Sequence, residues 1–328
     1  MISDNMKIIN GINHSQNLIE SVKELVLKSE RLNKRKPSIA VILIGENSAS
    51  EIYVKNKIKT AENIGIISKK IVYPSSITEK ELLNKIKELN QQKDIDGILV
   101  QLPLPMHISE DKVILSIDPK KDVDGFHPIN LGNLFLGNNN GMIPCTPLGC
   151  IYMLKKELGS LNGLNATIVG RSNIVGKPMQ SLLLKENCTT TITHSKTRNL
   201  SEFTLKADIL IAAIGMTEFI DNSYVKDKAT VIDVGINRKK INDKIKILGD
   251  VNFNDVINKV NLITPVPGGV GPMTIACLMY NTVKASFLRN NHEFKEIIFD
   301  EWFTRKFNIS NLSSNSFWNF NVGRYYNG

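Results

Sequence analysis

Apolar runs alternate with helix-period patterns along most of the chain, which predicts an α/β protein built as two βα domains with a cleft between them. Length agrees, because 328 residues exceed the roughly 100–200 of a single domain. A third observation is the stretch DVDGFHPINLGNLFLGNNNGMIPCTP at 122–147, dense in Gly, Asn and Pro, which breaks the alternation and predicts a crossing between domains. The expected division is a first domain over 1–147, joined by a closing helix at about 273–290, a second domain over 148–272, and a tail over 291–328 of different composition.

In the first domain, the run SIAVILI over Ser38–Ile44 is closed by Gly45 and predicts a buried strand. A helix over about Ser48–Asn63 follows, then a short strand near Ile71–Tyr73. Leu82, Ile86 and Leu89 share one face of a helix predicted over Thr78–Leu89, and GILV at Gly97–Val100 is the next strand. The second domain begins with a helix over Leu148–Leu158, then strand Ala166–Val169, a glycine-containing turn, helix Val175–Lys185 and strand Thr189–Thr193. Strands at Asp208–Ala213 and Thr230–Val234 continue the sheet, and Met273–Ala285 predicts a helix returning toward the first domain. In the tail, Phe294, Ile297, Ile298 and Trp302 recur at helical spacing and predict one amphipathic helix.

Composition narrows the function. With 42% hydrophobic and 22% charged residues the chain has the profile of a globular protein with a real core. The formal charge of +9 favours anionic partners. The basic clusters Lys34–Lys36 and Arg238–Lys240 are short and free of interleaved aromatics, so a solvated face is expected there and not a nucleic-acid site. Four cysteines show neither a CxxC pair nor a zinc-like spacing with histidines, so reduced thiols and no metal are expected. The opening residues hold an early acid and no apolar run, and no stretch reaches the roughly 18 apolar residues of a membrane span. A cytoplasmic protein without a membrane partner is the expectation.

Several segments carry chemistry. The turn Gly170–Pro178 joins a strand to a helix, and small residues there let backbone approach a pyrophosphate while the helix N-terminus offers unpaired N–H groups. Ser172 stands where the second Gly of the usual dinucleotide fingerprint would be, so a plain tight βα turn is the competing reading. The next strand ends in Thr193-His194-Ser195-Lys196 with no acid for ribose hydroxyls, and Arg171 lies in the preceding turn, which favours NADP over NAD. Tyr53 and Lys57 share a helix face at i,i+4, either toward a ligand or on a solvated surface. Gln101 ends an apolar strand where open α/β sheets bind ligands, or merely caps backbone. Asp122 and Asp124 lie in a turn that they either form or use to hold an amino-heterocycle. The run TPVPGGVGP at Thr264–Pro272 combines fixed and freed dihedrals, either as a chain reversal or as a wall pressed on a planar ligand.

The segments SEIYVKNKIKTAENIGI, DGILVQLPLP, KDVDGFHPINLG, IPCTPLG, VGRSNIVGKPM, IDVGIN and ITPVPGGVGPMT, in this order, resemble the bifunctional methylenetetrahydrofolate dehydrogenase/methenyltetrahydrofolate cyclohydrolase family from about Lys7 to Ala285. The resemblance implies a Rossmann-like NADP-binding second domain, a one-carbon tetrahydrofolate substrate and a homodimer formed through the nucleotide domain. It implies Lys57 as the catalytic lysine, supported by Gln101, with Tyr53 beside the folate and Asp124 on the pterin. Val100, Leu102, Pro267, Gly268, Gly269, Val270 and Gly271 are then at the substrate, and Gly170, Arg171, Ser172, Ser195 and Ile236 at the cofactor. The tail after about Asn291 matches nothing in the family.

Overall fold

The computed structural model describes residues 7–138, 141–241 and 244–298. The described residues up to Phe294 form one compact unit that contains both sheets. Of the helix expected in the tail, Trp302 lies outside the described residues.

The first sheet is parallel and three-stranded, in the order β2 (Ile67–Tyr73), β1 (Ser38–Ile44), β3 (Gly97–Val100). Every residue of β1 and β3 is buried, as expected of strands covered on both faces. The edge strand β2 starts four residues earlier than its apolar part, because Ile67–Lys70 is exposed or half-exposed and carries no hydrophobic run. Helix α1 (Gly11–Asn33) has Asn10 as its N-cap and α2 (Ser48–Asn63) has Asn47, each side chain accepting backbone N–H groups. Thr78 and Glu81 form a reciprocal capping box at the start of α3 (Glu79–Gln91). Two short helices follow, α4 (Glu110–Ser116) and α5 (Pro128–Phe135). The latter lies within the stretch expected to be loop: Pro128 suits the first helical position, and His127 Nδ1 accepts from the Ile129 amide at 3.1 Å.

Helix α6 (Cys145–Leu158) leads to a five-stranded parallel sheet of β4 (Asn165–Val169), β5 (Thr189–Thr193), β6 (Ile209–Ala212), β7 (Thr230–Asp233) and β10 (Leu262–Ile263), in the order β10-β7-β6-β4-β5. The connecting elements are α7 (Gly176–Lys185), α8 (Leu200–Thr204), the antiparallel hairpin β8 (Asn237–Ile241) and β9 (Lys244–Leu248), and α9 (Phe253–Val256). The long helix α10 (Val270–Arg289) then packs against both α1 and α6. Gly149 makes the α6 contact close, since a Cβ there would lie 2.8 Å from Met273 Cβ.

Both expected domain divisions fall inside helices, 147/148 within α6 and 272/273 within α10. The segment before α1 lies on the second sheet: Ile8 bridges Ile263, and the Ile9 amide donates to the Ile263 carbonyl at 2.9 Å before α1 leads to the first sheet. At the N-terminal end of β3, Asp96 accepts from Arg35 and Arg289, which fastens the end of α1 and the end of α10 to the sheet edge away from the site.

Candidate active site

On α2 the buried stripe is Ser50, Val54, Lys57 and Ala61, while Lys55 and Lys59 point to solvent. Lys57 therefore sits on the inward face at 5% exposure, and the solvated-surface reading of this lysine does not hold. Its Nζ donates to Gln101 Oε1 at 3.0 Å and lies 5.5 Å from the centroid of the Tyr53 ring. Gln101 is pinned on two sides, its amide nitrogen donating to Ile42 O at 2.9 Å and its Nε2 to Leu102 O at 2.7 Å. The second of these bonds fixes which end of the carboxamide faces the lysine. Gln101 thus presents an acceptor to Lys57 at the carboxyl end of β3, between Val100 and Leu102.

Asp124 is carried on a turn held by its neighbours. Asp122, almost fully buried, accepts from the Gly125 amide, the His127 amide and Asn130 Nδ2 at 3.1, 2.7 and 2.9 Å, which makes it the former of the turn. From α10, Asn281 Nδ2 donates to Val123 O at 2.9 Å and Ile143 O at 2.8 Å. Sequence reasoning passed over Asn281, yet a polar residue in the middle of an apolar helix was a signal. Burial pushes the Asp124 carboxyl up to about 6, and the Lys57 charge acts against that rise. The Tyr53 hydroxyl is also pushed up, by burial and then by Asp124, so it stays protonated, and it lies 3.5 Å from Gly271 O. Tyr53 therefore links α2 to the Pro267–Gly271 loop. The same loop touches α1, where a Cβ on Gly11 would fall 1.8 Å from Gly269 O.

In the second sheet, the chain moves from β4 to β5 on one side and then to β6 on the other, so the topological switch point lies between β4 and β6. Here the strand exits touch: a Cβ on Gly170, whose φ is +128°, would lie 2.1 Å from Ala213 O, and one on Gly176 2.1 Å from Gly170 O. This bare-backbone cradle, with exposed Arg171, Ser195 and Lys196 and no acid at the end of β5, fits a phosphorylated dinucleotide. One expectation is corrected. The amides at the start of α7 are not unpaired, because Ser172 Oγ accepts from Val175 and Gly176 at 3.1 and 3.4 Å and Ser172 O from Lys177 at 3.1 Å. Exposed Ile236 follows β7. The exit Ile214–Met216 of β6, absent from the sequence-based set, lies at the switch point, and Gly215 at φ +75° was its signal.

All four cysteines are buried and free, and Cys145 donates to Val123 O at 3.2 Å. Among the described residues no group of acids, histidines and cysteines is arranged to hold a metal ion, and no helix is long and apolar enough to cross a membrane.

A parallel sheet with a phosphate cradle at its switch point, set beside a buried lysine–carboxamide pair on a second α/β layer, defines a two-domain nicotinamide-dependent enzyme. The family models are more specific: the tetrahydrofolate dehydrogenase/cyclohydrolase catalytic domain matches residues 9–124 and its NAD(P)-binding domain residues 144–290. The bifunctional protein FolD of Wolbachia pipientis subsp. Culex pipiens is 50% identical over 294 residues, covering 89% of this chain and 99% of the relative. The crystal structure of the bifunctional FolD methylenetetrahydrofolate dehydrogenase/cyclohydrolase of Campylobacter jejuni superposes with a TM-score of 0.82 at 46% identity, covering 87% of this chain and 99% of that one. A Trypanosoma brucei FolD, solved with NADP cofactor and inhibitor, gives a TM-score of 0.81 at 31% identity over 85% of this chain and 96% of that one. The chain belongs to the tetrahydrofolate dehydrogenase/cyclohydrolase family.

Proposed function

We infer that Lys57 is the base of a bifunctional one-carbon folate enzyme, an inference carried by the buried Lys57–Gln101 hydrogen bond of 3.0 Å. The enzyme oxidises 5,10-methylenetetrahydrofolate to the 5,10-methenyl form with NADP, and hydrolyses that product to 10-formyltetrahydrofolate. NADP supplies the hydride acceptor. Gly170, Arg171, Ser172, Ser195 and Ile236 are the residues that would hold it, with Arg171 the cation for the 2′-phosphate. Two nitrogens flanking the one-carbon bridge delocalise the cation left by hydride loss, so the first step asks mainly for orientation. Tyr53 gives a flat ring for stacking, the Asp124 carboxylate accepts from the amino edge of the pterin, and Val100, Leu102 and Pro267–Gly271 enclose the ligand.

The second step needs a proton acceptor. Water adds its oxygen to the methenyl carbon as Lys57 takes one proton; the remaining hydroxyl then loses its proton to solvent as the C=O bond forms and one carbon–nitrogen bond breaks, the freed ring nitrogen taking the proton held by Lys57, so that one proton is released overall. Gln101 aims the amine. We assign the folate half to 1–147 with the closing helix at about 273–290, the NADP half to 148–272, and leave 291–328 without a role. A homodimer through the NADP half is consistent with the open edge of β5, and a reducing cytoplasm with four free buried thiols.

The test is a paired assay of NADP⁺ reduction and methenyl decay on wild type and Lys57→Met. Loss of hydrolysis by about 10²–10⁴-fold, the usual range for a general base, with the fold intact is expected. Full hydrolysis in the variant overturns the assignment.

A further inference from the structure

Behind the cofactor face lies a buried carboxylate that the mechanism above does not use. Asp250, fully buried, accepts four hydrogen bonds from two different strand exits. Ile214, Gly215 and Met216, leaving β6, donate their amides at 2.6, 2.9 and 3.0 Å, and Asn237, following Ile236 after β7, donates Nδ2 at 2.8 Å. No space is left around it, since a Cβ on Gly235 would lie 2.3 Å from Asp250 Oδ1.

The carboxylate is itself held in place. Asp233 Oδ1 accepts from the Asp250 and Gly235 amides and Asp233 Oδ2 from the Val251 amide, each at 2.9 Å. The Ile220 amide donates to Asp250 O at 2.9 Å, and the Asp233 amide donates to Thr264 Oγ1 at 2.8 Å, at the root of the Pro/Gly loop. Three successive backbone N–H groups turned onto one anion set the path of a short segment far more tightly than loop propensity does. That segment borders the β4–β6 switch point, where a dinucleotide binds.

We propose that Asp250 is a positioning residue for the nicotinamide cofactor: by binding the exits of β6 and β7 together it sets the spacing between Ile214–Met216 and Ile236. The proposal rests on the reading that places NADP at these exits. Asparagine has nearly the same volume as aspartate but offers one acceptor oxygen and turns two donors toward N–H groups, so Asp250→Asn breaks the tie with little change in packing.

The experiment measures NADP⁺ affinity by titration calorimetry and methenyl hydrolysis, which needs no nicotinamide, on wild type, Asp250→Asn, Asn237→Ala and Arg171→Ala. In Asp250→Asn the NADP⁺ dissociation constant rises about tenfold or more, roughly the effect of one lost charge-assisted bond, while hydrolysis and its KM stay within twofold. Asn237→Ala, which removes one of the four bonds, moves NADP⁺ affinity the same way by a smaller factor and serves if Asp250→Asn does not fold. Unchanged NADP⁺ affinity in the variants, or a parallel loss of cofactor affinity and hydrolysis in both, overturns the proposal. A loss in Asp250→Asn with no effect of Arg171→Ala keeps Asp250 and overturns the cofactor role of Arg171, so the two failures are separable.

Discussion

Around Lys57 the chemistry sits in a buried lysine and half-buried side chains beside it, whereas around Gly170 it sits in backbone that no side chain obstructs. The folate half brings a lysine, a carboxamide, a phenol and a carboxylate together from α2, the end of β3 and one turn. The NADP half brings strand exits to within contact of one another and keeps its side chains at the rim. The substrates explain the contrast. Water addition needs a group that moves a proton, and such a group works in a place shielded from bulk solvent. A dinucleotide needs a surface that accepts its phosphates closely, and peptide N–H groups approach more closely than any side chain allows.

The contrast breaks if the cofactor half tolerates a side chain. Gly170→Ala puts a methyl against Ala213 O at a φ of +128°, a conformation that costs about 1–3 kcal/mol for a residue with a Cβ. Cofactor affinity is expected to fall by about 10–100-fold, with methenyl hydrolysis retained. Binding calorimetry beside the hydrolysis assay checks this; wild-type NADP⁺ affinity in the variant would show that the close approach is not what holds the phosphates.

That same division governs how much was legible in the sequence. Buried strands such as Ser38–Ile44 and Gly97–Val100 announce themselves as apolar runs, and the glycines of the 170–176 turn mark a close approach, so the α/β layout and both halves of the site were readable. Helix α5 was hidden because Gly and Asn around it read as loop, although His127-Pro128 is a helix start. Helix α1 was overlooked although Leu18, Val22 and Val26 recur at i+4. The Asp250 tie joins residues dozens of positions apart, from Ile214 to Asp250, and no local periodicity encodes such a contact. Ser172 shows the converse limit, since its place in a phosphate-binding motif was readable while its use as a cap on α7 depends on the fold.

A smaller effect separates the halves by pH. With its carboxyl raised to about 6 by burial, Asp124 loses its charge as pH falls through that value and accepts fewer hydrogen bonds from an amino-heterocycle. Folate KM is expected to rise by about five- to tenfold between pH 7 and 5, while NADP⁺ affinity follows its own 2′-phosphate, which titrates at about 6, and is indifferent to Asp124. Asp124→Asn should weaken folate binding at every pH and remove the dependence; a wild-type profile surviving in that variant assigns the titration elsewhere.

The least effect on catalysis is expected from another buried lysine of the folate half, Lys121, and it shows that burial alone does not make a catalytic group. Lys121 is more enclosed than Lys57, at 1% against 5% exposure, yet its Nζ is spent on the carbonyls of Leu89 and Gln92 at 2.8 and 2.7 Å, where it closes the end of α3. Burial, then the nearby Arg289 charge, lowers its pKa to about 8. In the unfolded chain a lysine holds its proton to about 10.4, so between these values the unfolded state binds more protons and stability rises with pH. Urea unfolding from pH 8 to 10 should therefore show a gain on the order of 1–2 kcal/mol relative to Lys121→Met, while both activities of the variant stay within twofold of wild type. A large loss of hydrolysis in Lys121→Met would mean that the end of α3 supports the Lys57 site, and the separation between structural and catalytic lysines in this half would no longer stand.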